Sequence, residues 1–180
     1  MRKPSRTAAP AALCGLALLA TGCSGGSREY ALPKDLRGVP VGEEELSPLL
    51  QDGEKLDVRG GLLATSTSIC SVGVDDYPSV DAQVEKVDTF DDPMGELDSF
   101  RFTNRRAMAM VPLPFDGAGA MGDRNVMISA RCAAPEADHP VVYISVGEKA
   151  QGDVGRRRAD TERFALAFVP SAKKEIGCTA

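Results

Sequence analysis

Hydropathy divides the chain into three unequal parts. Residues 7–20 are apolar or small, broken only by Pro10 and Gly15, and Arg2, Lys3 and Arg6 precede them without an acid. That run holds about 13 apolar or small positions, well short of the ~20 a membrane-spanning helix needs. Residues 24–34 (SGGSREYALPK) carry no hydrophobic period and read as a tether. Beyond them, short periodic segments are separated by clusters of Gly, Pro and Asp.

Those segments predict the elements. Three consecutive acids, Glu43 to Glu45, suit the positive end of a short helix dipole, and Pro48 followed by Asp52-Gly53 ends it early. Residues 55–59, 65–74, 80–87 and 97–102 alternate polar with apolar side chains, as half-buried strands do. Residues 125–132 and 141–146 are further strands, parted by the turn-forming AAPEADHP, and 105–113 fits strand or helix. One long helix is expected over 160–178. Phe164, Phe168, Ala172 and Ile176 share a face there, Asp160 or Thr161 caps the start, and Gly177 follows the end. Pro170 is expected to kink it, and a strand over FALAF is the alternative. The fold class that follows is α+β: an antiparallel sheet with helices packed on one face and a C-terminal helix.

The leading run then acquires a meaning. A basic start, a short apolar stretch and small residues form the layout of a secretory signal. Ala20-Thr21-Gly22-Cys23 resembles the lipobox of bacterial lipoproteins, with Ala20 where Leu is commonest. The resemblance implies cleavage after Gly22 and a diacylglyceryl group on the Cys23 sulfur. A thiolate is the nucleophile suited to that alkylation, and two or three acyl chains anchor stably where one holds marginally. The organisation expected is a signal over 1–22, a lipidated cysteine and tether over 23–34, and one domain over 35–180. The body is then expected on the extracytoplasmic face of the cell membrane.

Removing 22 residues that carry three cations and no acid leaves 18 Lys and Arg against 26 Asp and Glu, so the net charge moves from −5 to −8. An acidic body does not bind nucleic acid through the phosphate backbone. With Phe 6, Tyr 3 and Trp 0, stacking platforms are poorly supplied too. Outside the cytoplasm disulfides persist. With Cys14 removed and Cys23 lipidated, Cys70, Cys132 and Cys178 allow three single-bridge pairings. The expected one is Cys132–Cys178, which clips the C-terminal segment and leaves Cys70 as a buried free thiol. Leu36 to Val41, Ser68 to Val72, Ala130-Arg131-Cys132 and Ile176-Gly177-Cys178 resemble a group of small lipoproteins of unknown function from GC-rich bacteria. In that group a Cys commonly stands where this chain has Arg37, which implies a second bridge whose loss leaves Cys70 unpaired.

Chemistry-bearing motifs are sparse. Gly117-Ala118-Gly119-Ala120-Met121-Gly122 is a literal GxGxxG, but Asp116 and Asp123 flank it and no helix is expected after it, so it reads as a flexible loop. Gly22-Cys23-Ser24-Gly25-Gly26 matches GxSxG but loses Gly22 on cleavage, and Ser171-Ala172-Lys173-Lys174 matches SxxK without its companion motifs. His139, the single histidine, is placed in a surface turn. Residues 75–98 hold nine acids against Lys86 alone, a solvated face or a face for a basic partner; Phe90 stands where a calcium loop needs an oxygen ligand. No catalytic residue, cofactor or metal site is expected. The function expected is a lipid-anchored binding module, its partner an envelope protein or a small apolar ligand held between sheet and helix. The alternative is a small hydrolase using His139.

Overall fold

The computed structural model describes residues 28–61, 67–108, 113–132 and 139–178. The chain enters through a two-stranded hairpin, β1 (Asp35–Leu36) and β2 (Val39–Pro40), whose two-residue turn has Arg37 at φ 55° and Gly38 at φ 96°. Positive φ at both central positions matches the right-handed twist of the flanking strands. Next come α1 (Glu43–Leu46) and a 3-10 turn (Ser47–Leu49), with Pro48 ending the helix as expected.

Seven antiparallel strands follow: β3 (Leu56–Gly60), β4 (Thr67–Val74), β5 (Tyr77–Val87), β6 (Arg106–Ala107), β7 (Gly117–Met121), β8 (Asn125–Ala130) and β9 (His139–Val146). Their order in the sheet is β3-β4-β5-β9-β8-β7-β6. Two meanders therefore meet where β9 pairs with β5, Val80 opposite Val146. The turn between β4 and β5 is Asp75-Asp76, both at positive φ. The Asp75 carboxylate holds it by accepting from the backbone N–H of Lys55 at 2.9 Å.

The pleat sorts side chains onto two faces. One row on the inner face runs Cys70, Ala82, Ile144, Val126 and Met121 across five strands, all buried. Against this face pack Leu36, Val39, Leu46, Leu49 and Leu50 and the long helix α2 (Val154–Glu175) through Phe164, Phe168, Val169 and Ala172. The Phe164 and Phe168 rings stack 5.5 Å apart. Cys132 and Cys178 form a disulfide that ties the end of α2 to the chain after β8, and Cys70 is a buried free thiol.

α2 starts six residues before the expected position. Asp153 is the N-cap, accepting from the Arg156 N–H at 2.8 Å. Arg157 and Arg158, unfavourable beside a helix N-terminus, donate instead to the Asp123 and Gly122 carbonyls. The helix continues through Pro170 and ends with Gly177 at φ 81°, the Cys178 N–H bonding back to the Lys173 carbonyl. That closing bond and the Gly177 conformation form a Schellman end.

Four other expectations need correction. The glycine-rich 117–121 is strand β7: a Cβ on Gly117 would meet the Ser129 carbonyl oxygen at 2.4 Å, and one on Gly119 the Met108 sulfur at 2.3 Å. These glycines admit neighbours rather than lend flexibility. Residues 97–102 are not a strand but a 3-10 turn, Glu96–Arg101, because Asp98 reaches Arg101 three positions on, where 3-10 side chains eclipse. His139 opens β9 rather than sitting in a turn. Residues 28–34, read as tether, are held on the body. The Arg28 guanidinium donates to the Leu50 carbonyl at 2.7 Å and to Ser47, the Tyr30 hydroxyl donates to the Gln51 carbonyl, and Leu32 packs on the core. The expected signal, Cys23 and residues 24–27 lie outside the described residues, as do 62–66 and 109–112. No helix among the described residues is long and apolar enough to cross a membrane.

Candidate functional site

Strand order dictates what covers the outer face. After β5 the chain must reach β6 at the far edge, beyond β9, β8 and β7. Residues 88–105 make that crossing on the side away from α2. Phe90 sets its ring edge-on to His139 at 5.8 Å, and the Arg101 guanidinium lies over the Tyr143 ring at 4.4 Å. Lower down, Asn125 donates to the Arg101 carbonyl and Asp123 N–H to the Thr103 carbonyl. The outer row Ile69, Gln83, Tyr143, Met127, Ala120 records the coverage: Ile69 is 47% exposed, whereas Met127 and Ala120 are fully buried.

A groove of about 320 Å³ opens where the crossing stops. Ile69, Asp81, Gln83 and Ser145 come from the strands, Arg101 and Phe102 from the crossing, and Tyr143 lies between them. Arg101 organises this edge. It pairs with the buried Asp98 at 2.7 Å, and its guanidinium also faces the Phe100 ring at 5.1 Å. Asp91 hydrogen-bonds Asp98; burial first, then the Asp98 charge, raises its carboxyl above the usual carboxylate range. Burial pushes the Tyr143 phenol up to about 12, against the opposing pull of Arg101. It therefore stays protonated and available as a donor at neutral pH. Beside this polar edge, the crossing displays Leu97 at 85% and Phe100 at 78% exposure, with Met94 and Phe90 partly exposed.

The acids of 75–98 are dispersed, not gathered. Asp75 serves the β4–β5 turn, Asp81 faces the groove, and Asp91 and Asp98 sit beneath Arg101. No metal-sized cluster of His, Cys, Asp or Glu occurs among the described residues. Arg105 spends its guanidinium on the Gly95 carbonyl, and Arg158 pairs with Asp123. The Nδ1 atom of His139 is buried and has no hydrogen-bond partner among the described residues. A catalytic imidazole needs its nucleophile or orienting group within such reach. Cys70 is held as a thiol, pushed up to about 11 by burial although Arg37 pulls it down. Arg37 thus lies close enough to Cys70 for its charge to act on the sulfur. Ser171 of the SxxK match donates to the Ala167 carbonyl on the helix. Between the seven-stranded sheet and α2 the core is packed with Phe164, Phe168 and the strand valines, and a hollow of about 380 Å³ lies on the other side of these rings against Pro40, Val41 and Glu45.

Sequence reading missed this site. Gln83 and Tyr143 carry the alternation of their strands, but nothing local marks Arg101 as their neighbour. No protein-family model, curated protein or solved structure matches the chain.

Proposed function

We propose that this protein is a binding module tethered by lipid at Cys23 to the extracytoplasmic face of the cell membrane, and that the outer-face groove and the crossing beside it receive its partner. The observation that carries the recognition half is the juxtaposition of exposed Leu97, Phe100 and Ile69 with Asp81 and the Arg101–Asp98 pair. Exposed apolar residues rimmed by polar ones mark interaction surfaces. Asp81 at the groove, beside these apolar side chains, suits an envelope protein with a basic, partly apolar segment. The anchoring half rests on the sequence from Arg2 to Cys23.

One fractionation tests both halves. Wild type is expected in the membrane fraction with its partner co-purifying after detergent extraction. Cys23→Ser is expected in the soluble fraction or as uncleaved precursor. The double variant Leu97→Asp with Phe100→Asp is expected to stay in the membrane, unfold at the wild-type temperature and lose the partner. Membrane retention of fully cleaved Cys23→Ser overturns the anchor; a partner retained by the double variant overturns the surface.

A further inference from the structure

We infer that one end of the sheet rests on the lipid headgroup layer, with Tyr77 and Lys149 at the contact; this rests on the lipid anchor at Cys23. The body begins at Arg28, which is clamped to Ser47 and Leu50 and ion-paired with Asp52 at 3.6 Å. Five residue steps separate Cys23 from Arg28, and fully extended they span at most ~18 Å. The anchor therefore fixes which end of the body lies near the bilayer.

That end is defined by contacts. Arg28 bridges Gly53, and a Cβ on Gly53 would strike the Val74 and Asp75 side chains, so the chain enters beside the β4–β5 turn. Tyr77 follows that turn. β9 ends at the same level, with Gly147 N–H bonding to the Ser79 carbonyl, and α2 starts there after the 147–153 loop. The opposite end holds the Cys132–Cys178 disulfide and Arg131.

The near end carries exposed Asp52, Glu54, Asp75, Asp76 and Glu148 beside Lys55 and Lys149, so the layer it rests on is zwitterionic rather than anionic. It also presents side chains such a layer accepts. Tyr77 is 51% exposed, the Lys149 ammonium sits over its ring, and Val154 at the start of α2 is 40% exposed. Tyrosine rings favour the membrane–water boundary, and lysines keep their charge at it while their stems lie against apolar matter. With this end down, the strands lead away from the bilayer, and the groove on the sheet's outer face opens sideways to a partner in the envelope.

The chain has no tryptophan, so a single one reports its own surroundings. Full-length lipidated Tyr77→Trp and, at the far end, Arg131→Trp are reconstituted into phosphatidylcholine vesicles whose acyl chains carry bromine near the headgroup. Emission from position 77 is expected to fall about twofold against unbrominated vesicles, and emission from position 131 to stay unchanged. Vesicle-bound protein with position 77 unquenched, or with both positions quenched alike, overturns this orientation alone. Protein that does not float with the vesicles overturns the anchor and the orientation together.

Discussion

The two faces of one sheet are built from the same strands and held by different physics. On the inner face the row from Cys70 to Met121 is sealed by α2 and the N-terminal hairpin, and every member is apolar. On the outer face the parallel row from Ile69 to Ala120 goes from half exposed to fully buried. Its cover is a 3-10 turn held by a guanidinium, a buried carboxylate and a few backbone carbonyls. Apolar burial is non-directional and sums with area, so the inner face carries the stability. Polar contacts are directional and individually modest, so the outer face carries shape, and it is there that large apolar side chains remain unpaired with the core. Each face carries an unmet polar group among the described residues, the Ser129 hydroxyl on the outer side and the Gln51 side-chain oxygen on the inner, so polar cost alone does not separate the two.

The largest expected effect lies on the inner face. Phe164→Ala removes a fully buried ring stacked on Phe168 and leaves a cavity between α2 and the sheet. A loss of about 3–5 kcal/mol is expected in urea unfolding. A loss below ~1 kcal/mol would mean that α2 does not seal this face. Next comes the clip that holds α2. Replacing both Cys132 and Cys178 by Ser opens a loop with a sequence separation of 46 residues. A destabilisation of ~2–4 kcal/mol is expected, with the fold kept below the lowered midpoint. If the disulfide-free protein matches wild type, packing alone holds the helix end.

How much of this was legible from the residues follows the same division. Inner-face strands announce themselves because their period of two is written in Val, Ile and Ala: 80–87, 125–132 and 141–146 were placed within a few residues of β5, β8 and β9. β7 hides because its identity is set by neighbours; Gly117 is required by the Ser129 backbone carbonyl, which no local pattern reveals. The start of α2 hides for a similar reason, since Arg157 and Arg158 oppose the helix dipole until Asp123 and Gly122 lie opposite them. The groove was least legible of all. Arg101 and Tyr143 are distant in sequence, and only the strand order that forces a crossing over β9 brings them together.

The smallest expected effect compares the faces within one titration, because each carries a buried group that resists losing its proton. On the inner face the Cys70 thiol is raised from 9.0 to about 11, chiefly by burial. On the outer face the Tyr143 phenol is raised from 10.0 to about 12, again chiefly by burial. Both folded values exceed the unfolded ones, so the folded chain holds protons that the unfolded chain releases. Stability from these groups is therefore complete below the unfolded values and is lost as pH rises through the folded ones. Urea midpoints of wild type are expected to fall across the window from 9.0 to about 12. Cys70→Ala is expected to remove the part of the fall between 9.0 and about 11, and Tyr143→Phe the part between 10.0 and about 12. Every other titrating group is common to the three proteins, so the differences between curves isolate the two sites. If the Tyr143→Phe curve runs parallel to wild type while the Cys70→Ala curve does not, the inner face is dry as described and the crossing leaves the outer face open to water. The polar cover would then be a gate over Tyr143 rather than a seal.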